Sequence, residues 1–221
     1  MLKAIIFDFD GTLAETKQNI VKAIQRGITD YGCNADDRFI ERRIGSGGRM
    51  LLKNIFDENN VNYNDDLIEE LIDRIELYRI EAIDQIRVFD GTIPLLKALY
   101  KKYKMALATL SRRNIMKKLL QKKELIQYFD VVITANEVTH PKPNPEIFLK
   151  CARRLEVNPS HCVVIEDSIF GVEAAKSAGM QCIAVTTGSY SKEELAEKKP
   201  DLIISSINNK MDILKFLMQN S

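Results

Sequence analysis

An α/β fold is predicted, a Rossmann-like core whose parallel sheet is flanked by helices and interrupted by an inserted helical cap. Three features of the 221-residue chain predict it. A short apolar run, Ala4-Ile5-Ile6-Phe7, has the length of a buried parallel strand and is too short for a helix of its own. Roughly residues 15–86 hold no convincing strand, only apolar positions at helical spacing. From Val88 onward strand and helix patterns alternate, which argues for a parallel sheet with right-handed crossovers.

Within the insertion, Ile20, Ile24 and Ile28 share one helical face, and Met50, Leu51, Ile55 and Phe56 follow similar spacing. Leu67, Leu71, Ile72 and Ile75 continue the pattern before Tyr78, giving a unit the size of a small helix bundle. The expected division is a core of residues 1–14 and 87–221 around a cap of residues 15–86. In the second part, a helix from Pro94 to Tyr100 precedes a strand at Met105–Thr109, and a helix near Asn114–Lys123 precedes Val131-Val132-Ile133. A helix over Pro145–Leu155 leads to Val163-Val164-Ile165, and one over Val172–Ala178 leads to Cys182-Ile183-Ala184-Val185. Ser191 and Glu194 form a capping box that opens the next helix. Leu202-Ile203-Ile204 is the last strand, and Asp212–Met218 the terminal helix.

Composition narrows the function classes. Hydrophobic residues make up 45% and charged residues 29%, the balance of a globular protein and not of a disordered one. A formal charge of +1 gives no electrostatic case for nucleic acid or a membrane surface. Lys101-Lys102, Lys117-Lys118 and Lys122-Lys123 recur among leucines and read as solvated helix faces. Cys33, Cys151, Cys162 and Cys182 show neither a C-x-x-C pair nor a zinc-finger spacing. Met1-Leu2-Lys3 leads directly into the first strand with no room for a signal core, and no run is long enough to span a bilayer. The expectation is a cytoplasmic protein with reduced thiols.

The chemistry starts at Asp8 and Asp10, one residue apart at the carboxyl end of the first strand, where open α/β sheets place their ligands. Two like charges so close are costly unless a cation or a shared proton offsets them. A divalent metal meets that need and leaves one carboxylate free to attack phosphorus. The competing reading is a strand running into an Asp-Gly turn.

Asp8-Phe9-Asp10-Gly11-Thr12-Leu13 resembles the first motif of the haloacid dehalogenase superfamily of phosphatases and phosphomutases. Its partners follow in order: Ala106-Leu107-Ala108-Thr109-Leu110-Ser111 resembles the second motif, and His140-Pro141-Lys142-Pro143-Asn144-Pro145 opens the third. Val163-Val164-Ile165-Glu166-Asp167-Ser168, continued through Gly171-Val172-Glu173-Ala174-Ala175 to Ala178-Gly179, resembles the fourth. The resemblance implies that Asp8 is the nucleophile that forms an aspartyl phosphate. Asp10 then protonates the leaving group and activates water. It further implies Mg2+ held by Asp8, Asp167 and the backbone carbonyl of Asp10, with Glu166 helping through a bound water. Thr109 would meet phosphoryl oxygens and Lys142 would supply a fixed positive charge between two backbone-restricting prolines. On residues alone, Thr109 is a common strand-ending threonine and Lys142 an exposed loop lysine. The Gly45-Ser46-Gly47-Gly48-Arg49 stretch either brings the Arg49 guanidinium to substrate or simply connects two cap helices.

Asp10 argues against dehalogenation, since the dehalogenases of the superfamily lack that second aspartate. Members similar to β-phosphoglucomutase carry a cap histidine shortly after the first motif, where this chain reads Thr16-Lys17-Gln18-Asn19-Ile20. Glu15 stands where many members have aspartate, and Leu110 where many have a small or polar residue. The resemblance therefore implies a magnesium-dependent phosphatase, similar to phosphoglycolate-phosphatase-like and β-phosphoglucomutase-like enzymes. Its substrate would be a small phosphate monoester such as phosphoglycolate or a sugar phosphate. The alternatives are a sugar phosphomutase and, from a different class, a catalytically idle fold used for binding or regulation. The expected partners are the small-molecule phosphate ester, no nucleic acid and no membrane, in a monomer or weak homodimer.

Overall fold

The run Ala4–Phe7 is a strand, β1, with all four residues buried. In the computed structural model, which describes residues 1–220, there follow β2 (Ala14–Glu15), α1 (Lys17–Ile28), α2 (Asp37–Glu41), α3 (Gly48–Glu58), α4 (Asp65–Glu81) and β3 (Arg87–Val88). Next come α5 (Thr92–Leu99), β4 (Lys104–Ala108), α6 (Arg113–Lys122), β5 (Val131–Ile133) and α7 (Glu146–Leu155). The chain ends through β6 (Cys162–Glu166), α8 (Ile169–Ser177), β7 (Gln181–Val185), α9 (Lys192–Glu197), β8 (Leu202–Ile204) and α10 (Lys210–Gln219).

Six strands form one parallel sheet in the order β5-β4-β1-β6-β7-β8. Helices cover both faces, so its central strands are apolar on successive residues instead of alternating with polar ones. Ile5 and Phe7 join one core with Met105, Leu107, Val163 and Ile165. Ala4 and Ile6 join another with Ala106, Ala108, Val164, Ala174 and Ala175. The alanines let α7 and α8 lie close to the second face. A buried isoleucine or phenylalanine contributes about 1.5–3 kcal/mol. A one-residue slip of β1 would turn Phe7 from its edge contact with Phe129 onto the alanine-lined face, so packing on both faces sets the register.

Helices α1–α4 enclose a third apolar cluster that includes Ile20, Ile24, Ile28, Leu51, Ile55, Phe56, Ile68, Leu71 and Ile75. Met50 departs from the expected pattern: it is half exposed, and Leu52 is the buried neighbour of Leu51. The chain enters this helical segment through β2 and leaves it through β3, and the two pair antiparallel. Helix α4 turns Ile68, Leu71 and Ile75 toward the cluster, while its charged residues meet the segment after β4. Among the described residues, no helix is long and apolar enough to cross a membrane, and all four cysteines are buried and free.

Candidate active site

The chain builds β4 and β5 on one side of β1 and then β6, β7 and β8 on the other. Such a reversal leaves a crevice beyond the carboxyl ends of the strands at the switch point. Asp8 lies there, its N–H donating to the Ile165 carbonyl at 3.0 Å. The chain then turns sharply: the N–H groups of Thr12, Leu13 and Ala14 all converge on the Phe9 carbonyl, which leaves the Asp10 carbonyl outside the turn's hydrogen bonds. Gly11 makes the turn possible with φ +86°, and a Cβ there would stand 2.3 Å from Asp167 Oδ2. Glycine is required on both counts.

Lys142 is buried, and its three donors have three acceptors: Asp8 Oδ1 at 2.6 Å, Glu166 Oε1 at 2.7 Å and the Ala108 carbonyl at 3.3 Å. Burial disfavours charge on Lys142, but the Asp8 and Glu166 carboxylates outweigh it and raise its pKa above the ordinary lysine value. Burial pushes the Asp8 carboxyl well up; Lys142 opposes this, while Glu166 and Asp10 add to it. Desolvation raises Asp167 as well, reinforced by Glu166 and Asp8 and opposed by Lys142 and a 3.2 Å hydrogen bond from Thr12 Oγ1. Glu166 is anchored through Oε2, which accepts from the backbone N–H of Asp167 and Ser168 and from Ser168 Oγ at the start of α8. Gly171 allows that approach, since a Cβ there would fall 1.8 Å from Glu166 Oε1.

Asp10 faces away from this cluster. Its Oδ1 accepts from Arg79 Nη2 at 3.0 Å, and its Oδ2 from Thr109 Oγ1 at 3.0 Å and Ser111 Oγ at 2.8 Å. Thr109 consequently sits behind Asp10, fully buried, with its N–H donating to the Ile133 carbonyl. Neither its hydroxyl nor its amide faces the cleft, which is lined instead by Leu110, Ser111 and Arg112. The parallel ladder continues through residue 109 and consumes the amide that the sequence reading offered to phosphate.

The cleft has a volume of about 650 Å³, within the usual size of a small-molecule site. Asp8, Asp10, Lys142 and Asp167 line one end, and Ile20, Ile72 and Met50 belong to the wall of helices above. Arg49 also lines it, but its guanidinium pairs with Glu69 and, at 3.2 Å, with Asp65, apart from the Asp8–Lys142–Glu166 cluster. Gly45–Gly47 fall between α2 and α3, Gly48 and Arg49 open α3, and the stretch also lies against the crevice. A Cβ on Gly45 would meet Ser168 Oγ at 2.7 Å, and one on Gly47 would touch Leu110 and Pro141.

Sequence reading missed Arg79 and Glu76. The signal was present as charges at 69, 73, 76 and 79, a helical spacing that looks like a solvated face until a second surface covers it.

The family model for haloacid dehalogenase-like hydrolases matches residues 5–185. The chain is 32% identical over 182 residues to the fructose-1-phosphate phosphatase YqaB of Escherichia coli strain K12, covering 82% of this chain and 95% of that protein. It is 33% identical over 186 residues to a phosphorylated carbohydrates phosphatase of Thermotoga maritima, covering 82% and 84%. Among solved structures, β-phosphoglucomutase of Clostridium difficile superposes with a TM-score of 0.88 at 28% identity, covering 100% of this chain and 98% of that one. The chain therefore belongs to the haloacid dehalogenase-like hydrolase family and is one of its phosphatases.

Phosphatases of this family generally use a divalent metal. The donor set fits one. Among the described residues, Asp8, Asp10 and Glu166 pair with Lys142 and Arg79, and Asp167 adds a further carboxylate, which leaves an excess of acidic groups. Among the described residues no three acidic, histidine or cysteine side chains form a cage, since Asp10 is turned to Arg79. A hard cation that binds through one or two carboxylates plus phosphate and water needs no such cage.

Proposed function

We propose that this phosphatase hydrolyses a small phosphate monoester, such as a sugar phosphate or phosphoglycolate, through an aspartyl phosphate on Asp8. The observation that carries the reading is the Asp8–Lys142 pair at the switch point of the sheet, with a second aspartate two residues on. Asp8 attacks phosphorus in line with the departing alkoxide, and Asp10 protonates that alkoxide. Water then attacks the aspartyl phosphate, and Asp10 takes its proton. Lys142 supplies fixed positive charge beside the phosphoryl group and holds the Asp8 carboxylate in place. Asp8, Asp167 and the Asp10 carbonyl would hold Mg2+, which would supply charge neutralisation between the two anions. Helices α1–α4 act as a cap over the cleft, and Arg49 exchanges its partner Glu69 for a polar group of the substrate.

Likeness to β-phosphoglucomutase makes the phosphomutase the second reading. Ile20, nearly buried at the cleft wall, favours hydrolysis because no imidazole is there to assist attack by a sugar hydroxyl. The test is a panel of phosphate esters assayed with magnesium for inorganic phosphate. Release from several small esters is expected, and β-glucose 1-phosphate should yield little glucose 6-phosphate even with a bisphosphate primer. Efficient isomerisation with negligible phosphate release would overturn the reading.

A further inference from the structure

Hydrolysis through Asp8 and Asp10 leaves one buried cation without a task. Arg79, on α4, has a side chain only 9% exposed, and its guanidinium reaches three elements at once. Nη2 donates to Asp10 Oδ1 at 3.0 Å, Nη1 to Ser111 Oγ at 2.8 Å and Nε to Asn19 Oδ1 at 3.1 Å. Asn19, on α1, returns a bond from Nδ2 to the Arg79 carbonyl at 3.2 Å. The guanidinium is thus held by two helices before it meets the core.

We propose that Arg79 is the positioning residue for Asp10, and that it aligns this carboxylate for water attack only while α4 is docked. The inference rests on the reading of Asp10 as the group that activates water. A carboxylate has about four lone-pair sites. Thr109 and Ser111 occupy both on Oδ2, and Arg79 occupies one on Oδ1. The site left for a proton is on Oδ1, the atom that Arg79 holds. In the step concerned, the water oxygen bonds to phosphorus and one water proton passes to Asp10 Oδ1. The bond from phosphorus to the Asp8 oxygen breaks, and its electron pair returns to the Asp8 carboxylate. Arg79 touches neither the phosphorus, the attacking water nor the Asp8 oxygen that leaves; it acts through Asp10 Oδ1.

Docking follows from the rest of α4. Glu76 Oε1 accepts from the Ile115 N–H at 2.9 Å in the first turn of α6, and Glu69 and Asp73 both pair with Arg112. With Arg79 these residues form one polar seam along the helix. If the seam parts, Arg79 leaves with α4, and Asp10 keeps only its two hydroxyl partners.

p-Nitrophenyl phosphate with magnesium is the probe, because its leaving group departs with little help from an acid, so misalignment of Asp10 slows mainly the second step. Arg79→Ala should lower kcat tenfold or more with KM unchanged or reduced, and stopped flow should show a burst of about one p-nitrophenolate per enzyme. Asn19→Ala should show a weaker form of the same change, and added guanidinium should restore turnover to Arg79→Ala. Circular dichroism and beryllofluoride binding at Asp8 should match wild type. If Arg79→Ala does not fold, Arg79→Lys carries the same readout, because a point charge cannot reproduce the three-way fork. A kcat within twofold of wild type, or a slow variant with no burst, would overturn the proposal. If wild type itself shows no phosphorylation of Asp8 by mass spectrometry after rapid quench, the aspartyl-phosphate reading falls and the role of Arg79 with it.

Discussion

Lys142 Nζ stands 2.6 Å from Asp8 Oδ1, with both side chains buried at the carboxyl end of β1. The same ammonium lies 2.7 Å from Glu166 Oε1 and 5.1 Å from the centre of the Phe148 ring. One cation therefore compensates two carboxylates that are largely withdrawn from water. Breaking such a pair from one side is worth more than its net contribution, because it strands the partner charges.

Lys142→Met should accordingly cost about 3–5 kcal/mol of stability. Denaturant unfolding of the variant checks this, and a loss below 1 kcal/mol would show that Asp8 and Glu166 find other compensation. Turnover should fall with it, since the variant has no positive charge beside Asp8.

Asp8→Asn should abolish turnover and keep the fold. The amide still accepts from Lys142, and one of the clustered negative charges is gone. The thermal midpoint should therefore stay within a few degrees of wild type, the shift produced by about 1 kcal/mol in a chain of this size. Substantial phosphatase activity in the folded variant would sink the mechanism.

Thorough chelation with EDTA should eliminate activity, and magnesium should restore it. Asp167→Asn should raise the magnesium concentration needed for half-maximal activity, because it removes one of the few charged donors. Undiminished turnover after chelation would exclude a metal requirement.

The loop before α7 provides a pH test away from the cleft. Hydrogen bonding from Lys150 is the largest influence lowering the Glu146 pKa to about 2, helped by the backbone N–H groups of Thr139 and His140. Its pKa is depressed on folding, so its contribution is present above the ordinary value of 4.5 and is lost as pH falls toward 2. The stability difference between wild type and Glu146→Gln should be full at pH 7 and shrink between pH 4.5 and 2. A difference independent of pH would show that the carboxylate charge is not what the loop uses.

Much of this was legible from the chain by itself. β1 is short, apolar and followed by acidic residues, so the strand and the place of Asp8 at its carboxyl end came from local pattern; the capping box at Ser191 and Glu194 was read in the same way and is present. Lys142 and Asp167 were named from motif resemblance, and the fold brings both to the cleft that Asp8 lines, although they lie 134 and 159 positions away in sequence. What local pattern does not encode is which way a polar side chain turns once a second surface arrives. Thr109 was read as facing phosphate and instead holds Asp10, because the ladder to Ile133 rotates it inward. Arg49 does line the cleft but answers first to Glu69 and Asp65. Nothing in the local pattern singles out Arg79; only the docking of α4 on residues 111–115 buries it against Asp10. Periodicity reports which residues share a face, whereas the partner that covers the face is a product of tertiary packing between segments distant in sequence.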